Sequence, residues 1–159
     1  VEPPMFVDVV NVTSAADMAD VVKSKAAEQD IIIMTAAVAD FCPSHPADEK
    51  IKKNDSSYES VIELERTEDI LSYLGAHKAK GQLICGFSME TQNMLENSKA
   101  KLAKKNADMI VANNLKVAGA GFGTDTNVVT LITADDCTEL EIMDKSCVAA
   151  RIMDRLLQM

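Results

Sequence analysis

The sequence predicts an α/β fold with a Rossmann-like, mainly parallel sheet flanked by helices. Short apolar segments alternate with longer segments in which apolar residues recur every three or four positions, the pattern of strands connected by helices. Such alternation favours parallel strands joined by right-handed crossovers. A chain of 159 residues has the length of one domain, so residues 1–159 are expected to form a single domain.

The first predicted elements are a strand, a helix and a second strand. Residues 5–12, MFVDVVNV, are rich in valine and predict a strand. Thr13 or Ser14 can cap a helix that runs to about Gln29, because apolar residues recur on one face of this segment. Residues 30–38, DIIIMTAAV, are apolar throughout, which is typical of a parallel strand covered on both faces.

A long polar loop and a further strand and helix follow. Residues 42–57 contain two prolines and many polar side chains, so they predict a flexible lid loop. Residues 60–65, SVIELE, alternate between apolar and polar side chains and predict a half-exposed strand. Thr67, followed by two acidic residues, is a good helix start, because carboxylates are favoured in a first helical turn. This helix is predicted to reach about Lys80.

The second half of the chain continues the alternation and contains an antiparallel hairpin. Residues 82–88, QLICGFS, and 108–114, DMIVANN, predict buried strands that are separated by a helix over about 90–106. The segments NVVTLIT and TELEIM predict a C-terminal antiparallel hairpin with its turn at residues 135–136. An amphipathic helix over residues 144–158 is the last predicted element.

Three predicted strands lose their bulky residues and gain polar groups where they end. These ends are TAAVAD, CGFSMET and VANN. In mainly parallel sheets, ligands bind at the carboxyl ends of the strands. Ala36 and Ala37 leave room for a ligand to approach the backbone, and Asp40 adds an acceptor. The alternative is that small residues only permit helices to pack over the strand ends, but three such ends favour a nucleotide-sized site.

The distribution of positive charge indicates a local anionic ligand. The net charge is −9, so duplex nucleic acid is not an expected partner. Seven of the 16 basic residues nevertheless lie within residues 50–53 and 99–105. Lys101 and Lys105 share a helix face and could contact a polyphosphate together, whereas Lys50 in the predicted lid could neutralise charge in a transition state. The alternative interpretation is that both segments are solvated surface.

Several other kinds of site are disfavoured by the sequence. No segment has the run of about 18 apolar residues that a membrane helix needs, and no P-loop or GxGxxG pattern occurs. The segment GAGFG at residues 119–123 is interpreted as a turn, which weighs against a Rossmann-type reductase. Four cysteines without CxxC spacing and two histidines argue against zinc, and predict buried free thiols in a reduced cytoplasm.

Six segments occur in the order and spacing of a known enzyme family. They are TAAVADF, EKIKK, TEDIL, GFSMET, KLAKKNADMIVANN and GFGTDTNVVTLI. Through them the chain closely resembles the bacterial phosphopantothenate–cysteine ligases, also called phosphopantothenoylcysteine synthetases. The resemblance extends from about Ile31 to Ile132. It implies a cytoplasmic, CTP-binding ligase domain that forms a homodimer and belongs to coenzyme A biosynthesis.

The resemblance also implies a two-step reaction. CTP activates the carboxylate of 4′-phosphopantothenate as an acyl-cytidylate and releases pyrophosphate, with Mg²⁺ assisting. The amine of L-cysteine then attacks the acyl carbon and releases CMP. The KIKK segment distinguishes this CTP-dependent bacterial kind from ATP-using relatives. A flavin-dependent decarboxylase, either fused upstream or present as a separate chain, is a further implied partner.

Residue roles follow from the resemblance by position. Lys50 matches the flexible-loop lysine that lies near the reacting carboxylate, and it is the implied catalytic residue. Phe87 matches a main-chain contact to the base, and two lysines match contacts to the triphosphate. The residues implied to bind the nucleotide are Thr35, Ala36, Ala37, Asp40, Glu68, Asp69, Ile70, Leu71, Phe87, Lys101 and Lys105.

The family pattern also contains an N-terminal part that this sequence does not show. A strand, a Gly-rich turn and a segment with an essential Asn are expected before Val1, so an N-terminal βα unit is expected to be missing. The alternative function is therefore a non-catalytic CTP-binding module or a truncated inactive fragment. Formation of the cytidylate without cysteine separates ligase from binding module, and a nicotinamide fluorescence titration tests the reductase interpretation.

Overall fold

A five-stranded mixed sheet forms the centre of the computed structural model, which describes residues 4–47, 49–50, 61–90, 93–114, 121 and 123–159. In chain order the elements are α1 (Ala15–Ala26), β1 (Ile31–Met34), β2 (Phe41–Pro43), β3 (Leu64–Arg66), α2 (Ile70–Ala76), β4 (Leu83–Glu90), α3 (Met94–Lys105), β5 (Met109–Asn114), β6 (Thr126–Asn127), β7 (Val129–Ile132), β8 (Cys137–Glu139), β9 (Met143–Asp144) and α4 (Lys145–Leu156).

The central sheet has the strand order β1-β4-β5-β7-β8 and a parallel core. β1 and β4 are parallel with Met34 opposite Gly86, and β4 and β5 are parallel with Phe87 opposite Val111. β7 runs antiparallel to β5, and β8 completes the hairpin. The predicted Rossmann-like α/β fold with a C-terminal antiparallel hairpin is therefore confirmed.

The core lies on both faces of this sheet because successive residues of a strand point to opposite faces. On β4, Ile84 packs with residues of α1 and α2, whereas Cys85 packs with α4 on the other face. Ile152 and Leu156 of α4 are buried in the same cluster as Cys85. Each fully buried side chain of this kind contributes about 1.5–3 kcal/mol. No helix in the described ranges is long and apolar enough to cross a bilayer.

Side chains cap the starts of α1 and α2, although the cap of α2 is Asp69 and not the predicted Thr67. Ser14 caps α1 through a capping box, in which its hydroxyl accepts from the Asp17 amide and Asp17 accepts from the Ser14 amide. Asp69 caps α2, and its carboxylate accepts a hydrogen bond of 2.9 Å from the Ser72 amide. α2 ends at Ala76, well before the predicted end at Lys80.

A close helix crossing fixes α2 against α3. A Cβ atom built on Gly75 would lie 1.8 Å from the Lys105 carbonyl oxygen, so only glycine permits this approach. Asn106 follows α3 in a left-handed conformation, with φ of 48°, and its side-chain amide donates to the Gly75 carbonyl oxygen over 2.7 Å. The end of α2 therefore packs directly against the backbone at the end of α3.

The strand predicted over residues 5–12 is wrong. This segment pairs with none of the described strands, and its valine side chains remain exposed: Val7, Val9, Val10 and Val12. A valine-rich segment becomes a strand only where a neighbouring strand supplies partners for its N–H and C=O groups.

The predicted lid and its neighbouring strand also differ from expectation. The lid's first residues belong to β2, which pairs antiparallel with β3 so that Cys42 lies opposite Glu65. The strand expected over residues 60–65 is shifted to Leu64–Arg66. Of the remaining predicted lid, residues 44–47 and 49–50 have no regular structure, and residues 48 and 51–57 lie outside the described residues.

Two further expectations need correction. The helix predicted from residue 90 begins at Met94, because β4 continues to Glu90 and pairs with the whole of β5. Of the four cysteines only Cys85 is buried, and burial raises its pKa to about 12. Cys137 lies on the outermost strand of the sheet and Cys147 on the solvent side of α4, so both thiols are exposed.

Candidate functional site

A pocket of about 260 Å³ lies at the carboxyl end of β1 and beside the middle of β4. Its walls come from the segment that follows β1, the start of α2, the middle of β4 and one face of α3. The lining residues are Met34, Ala36, Val38, Ala39, Asp40, Thr67, Glu68, Asp69, Ile70, Leu71, Phe87, Lys101 and Lys105. This is the edge at which mainly parallel sheets bind ligands.

The segment after β1 is tied to the residues that precede α2. The Thr67 amide donates to the Asp40 carbonyl oxygen over 3.0 Å, and the Thr67 hydroxyl donates to the Ala39 carbonyl oxygen. These bonds hold the small residues that follow Met34 at one side of the pocket. The Asp40 side chain lies at the exposed end of this segment, where it can contact a ligand that enters from solvent.

Gly86 permits the close approach of Leu71, one of the lining residues, to β4. A Cβ atom at Gly86 would lie 2.6 Å from the Leu71 Cδ2 atom and 3.1 Å from the Ile110 Cδ1 atom. Leu71 therefore packs directly on the β4 backbone beside Phe87. The small residue in CGFSMET therefore admits the start of α2, as the alternative interpretation of the small strand ends expects.

Lys101 and Lys105 approach the pocket from the same face of α3 but have different partners. The Lys101 ammonium donates to the Phe87 carbonyl oxygen over 2.8 Å. The Lys105 ammonium forms an ion pair with Asp69 and donates to the Ser72 hydroxyl over 3.0 Å. The Lys105 side chain is only 13% exposed, whereas the Asp69 side chain is 50% exposed.

The environment of Asp69 favours its ionised form. Partial burial alone would raise the pKa of this carboxyl group. The hydrogen bonds from Lys105 and from the Ser72 amide, together with the charge of Lys105, outweigh burial and hold the pKa below its ordinary value of 3.8. Asp69 is consequently a carboxylate at neutral pH.

Lys23 of α1 is a site neighbour that the sequence did not indicate. Its ammonium forms an ion pair with Glu68, and it lies 5.2 Å from the centre of the Tyr73 ring. The hydrogen bond to Glu68 raises the pKa of Lys23. Because 45 residues separate the two side chains, no local sequence pattern could have identified the pair.

The structure brings most of the predicted nucleotide-binding residues to this pocket. Three of the predicted site residues do not line it. Thr35 and Ala37 belong to the connecting segment, but their exposed side chains are not part of the wall. Lys50 is exposed and lies outside the pocket, so its predicted role requires movement of its loop.

A second group of polar side chains continues along the same edge of the sheet. The buried hydroxyls of Ser88 and Ser98 are 2.7 Å apart. Asn113 Nδ2 donates to the Ser88 carbonyl oxygen over 3.3 Å, and Asn113 Oδ1 accepts from Nδ2 of the Asn127 side chain over 2.8 Å. Asn113 belongs to the strand end VANN, so the third polar strand end also lies at this edge.

A magnesium ion would depend on the ligand for most of its coordination. Within the part of the chain that the structure describes, no group of three or more His, Cys, Asp or Glu side chains could hold a metal. Mg²⁺ is usually held by one or two carboxylates together with substrate phosphates and water. The exposed Asp40 carboxylate fits that pattern, because the described residues give it no ion-pair partner.

Comparisons with known proteins identify related sequences along the whole chain. The family model for the DNA/pantothenate metabolism flavoprotein C-terminal domain matches residues 1–159. The coenzyme A biosynthesis bifunctional protein CoaBC of Bacillus subtilis (strain 168) is 46% identical over 156 residues, which cover 98% of this chain and 38% of that protein. A cysteine/cysteine sulfinic acid decarboxylase from an unknown prokaryotic organism is 45% identical over 152 residues, covering 95% of this chain and 42% of that protein.

The chain thus spans about two fifths of the length of these two curated relatives. Among solved structures, the C-terminal domain of a coenzyme A biosynthesis bifunctional protein CoaBC is 41% identical, with a TM-score of 0.79, and the match covers 99% of this chain and 70% of that one. A Cab2 H337A mutant in complex with phosphopantothenate-cysteine has a TM-score of 0.64 at 18% identity, covering 92% of this chain and 52% of that one. This last similarity shows a shared fold.

Proposed function

The chain belongs to the DNA/pantothenate metabolism flavoprotein C-terminal domain family, and on that premise we propose that it is part of a phosphopantothenate–cysteine ligase of coenzyme A biosynthesis that uses CTP. Two findings support this activity. CoaBC proteins are related along almost the whole chain, and the pocket combines two ammonium groups with backbone carbonyls at a sheet edge. The similarity to a protein named as a decarboxylase covers 42% of that protein, so its name is not transferred to this chain.

The pocket is proposed to bind CTP with its base near Phe87 and its phosphates near α3. The observation that carries this proposal is that Lys101 and Lys105 both line the same pocket as Phe87. The Phe87 carbonyl oxygen accepts from Lys101 and retains a second lone pair, which can accept the amino group of cytosine. Charge-assisted hydrogen bonds to phosphate are the strong contacts of such a site.

The proposed reaction transfers a cytidylyl group and then an acyl group. A carboxylate oxygen of 4′-phosphopantothenate attacks the α-phosphorus of CTP, and the bond to pyrophosphate breaks. The cysteine nitrogen then attacks the acyl carbon, loses a proton, and CMP leaves. Lys50 is proposed to approach the reacting carboxylate and phosphate when its loop closes, where its charge would stabilise the transition state.

Mg²⁺ is the proposed cofactor, bound with the nucleotide. Asp40 would contribute a carboxylate ligand at the edge of the pocket, and the phosphates would supply further oxygens. The metal would neutralise phosphate charge. The residues of the chain would orient the nucleotide through Lys101 and Asp40, which both line the pocket.

A homodimer is proposed as the assembly, with a flavin-dependent decarboxylase as a fused or separate partner. β3 and β8 each have an edge that pairs with no other described strand. Such edges can pair with a second copy of the chain. Light scattering at micromolar concentration is expected to give the mass of a dimer, and a monomer would contradict this proposal.

A CTP-binding module without ligase activity is the second candidate. It is favoured by one observation: the described pocket contains most of the proposed nucleotide-binding residues but not Lys50. A single turnover with CTP and phosphopantothenate, but no cysteine, separates the two candidates. The ligase should release one pyrophosphate and form an acyl-cytidylate, whereas the module should bind CTP without releasing pyrophosphate. Equal affinity for CTP and ATP in calorimetry would contradict the choice of nucleotide.

A further inference from the structure

We infer that the Asp69 carboxylate is a counter-ion that pairs with the Lys105 ammonium until a polyphosphate replaces it. Asp69 therefore weakens polyphosphate binding. This inference rests on the proposed function, because it takes a nucleotide triphosphate as the ligand of the pocket. It gives the Asp69 carboxylate an effect opposite to that of a ligand contact: removal of its charge should tighten binding. It also makes the two lysines unequal in the free protein.

The partners of the two lysines carry the first step of the argument. Lys101 donates to a neutral carbonyl oxygen, and within the described residues it forms no ion pair. Its positive charge is therefore available to an anion. Lys105 is largely buried and is paired with the Asp69 carboxylate, so an anion gains its charge only by replacing that carboxylate.

The second step is that Asp69 cannot follow Lys105 toward a ligand. The Asp69 carboxylate also accepts from the Ser72 amide over 2.9 Å, which fixes it at the start of α2. The contact of Gly75 with Lys105 and the hydrogen bond from Asn106 fix α2 against α3. The mobile part of the pair is the four-carbon side chain of Lys105, which can turn from the carboxylate to a phosphate.

The third step is that the exchange is feasible in energetic terms. The Asp69 side chain is half exposed, so water can solvate its carboxylate once Lys105 has moved. An ion pair with one exposed partner is weaker than a buried one, and a phosphate with more than one negative charge competes well for the ammonium. The remaining carboxylate nevertheless lies beside the phosphates and repels them.

A double-mutant cycle tests this inference in the full-length protein. Asp69→Asn removes the charge and keeps an oxygen that can cap α2. Its dissociation constants for CTP and for inorganic triphosphate, both with Mg²⁺, should be at least fivefold lower than those of the wild type in calorimetry. The same substitution should change affinity less than twofold in a Lys105→Met background, whereas the tightening should persist in a Lys101→Met background. Thermal unfolding of each variant verifies that the protein is folded.

The outcomes separate this inference from the proposed function. Wild-type protein that binds neither CTP nor inorganic triphosphate would overturn both. Binding by the wild type together with unchanged or weaker binding by Asp69→Asn would overturn the counter-ion role alone. Equal tightening by Asp69→Asn in the Lys105→Met background would also overturn the counter-ion role alone. A purely structural role for Asp69 predicts lower stability and no Lys105-dependent gain in affinity.

Discussion

Replacement of Gly75 by Ala should destabilise the protein, although helix propensity alone predicts the reverse. Gly75 is the last but one residue of α2. In a helix interior Ala is the better helix former by about 0.8–1 kcal/mol, which is the upper limit of the gain at this position. However, the added Cβ atom would lie 1.8 Å from the Lys105 carbonyl oxygen and 3.2 Å from the Asn106 Cβ atom. The first distance is far below a normal contact, so α2 must move away from α3.

The size of the effect follows from opposing contributions. Overpacking of this kind typically costs about 1–3 kcal/mol. Separation of the helices also stretches the hydrogen bond of 2.7 Å from Asn106 to Gly75, which is worth about 0.5–1.5 kcal/mol. After the gain in helix propensity, we expect a net loss of about 1–3 kcal/mol. For a protein of this size each kcal/mol lowers the melting temperature by about 2–4 °C.

Urea denaturation measures the free energy of unfolding of Gly75→Ala, and Ala76→Gly serves as the matched control. Ala76 is the exposed neighbour in the same helix, so its replacement should cost only the propensity difference of about 0.5–1 kcal/mol and leave CTP affinity unchanged. Gly75→Ala should lose more stability and also tighten CTP binding, because it moves the Asp69 counter-ion away from Lys105. A Gly75→Ala protein as stable as the wild type, or more stable, would refute the close helix crossing.

Three further predictions concern the pocket and the loop. Lys101→Ala should weaken CTP binding by about 1.5–3 kcal/mol, the range of a charged hydrogen bond. Lys99 lies on the exposed side of α3, so Lys99→Ala should leave CTP affinity unchanged. Equal effects of the two substitutions in calorimetry would favour the interpretation that both lysines lie on a solvated helix face. Lys50→Ala should lower turnover by orders of magnitude and change CTP affinity only a few-fold, the pattern of a contact made in the transition state; near-normal turnover would contradict the lid role. Folding lowers the pKa of Asp69 below 3.8, so its stabilising contribution is complete above that pH and is lost as the pH falls through the lower folded-state value. Acid unfolding of Asp69→Asn should lack this part of the pH dependence, and identical curves would show that Asp69 does not contribute.

Local signals made much of the fold predictable. The capping box of Ser14 and Asp17 depends on residues three positions apart, so the sequence itself contains the start of α1. The apolar character of the first four residues of β5 reflects burial on both faces, and all of Met109 to Ala112 is buried. Spacing also placed Lys101 and Lys105 on one face of α3, and that face lines the pocket.

The features that the sequence did not reveal depend on distant partners. The valines of residues 5–12 have high strand propensity, but no described strand pairs with them. β2 and β3 are short and exposed, so neither has an apolar pattern that could predict their pairing. The ion pair of Asp69 and Lys105 joins residues 36 positions apart, and it exists only because Gly75 permits the helices to cross closely.

This dependence on a helix crossing links the stability of the fold to the chemistry of the pocket. α3 positions Lys105, the N-cap residue of α2 supplies its counter-ion Asp69, and a contact at the other end of α2 sets their separation. A substitution at Gly75, which does not line the pocket, should therefore alter the ligand affinity that Lys105 provides. Lys101 contacts β4 instead of α2, so its contribution should survive the same substitution. Comparing the CTP affinity of Gly75→Ala with and without Lys101→Met would separate the contributions of Lys101 and Lys105. If the contribution of Lys101 falls as well, the structural change extends through the whole pocket and is not confined to the helix crossing.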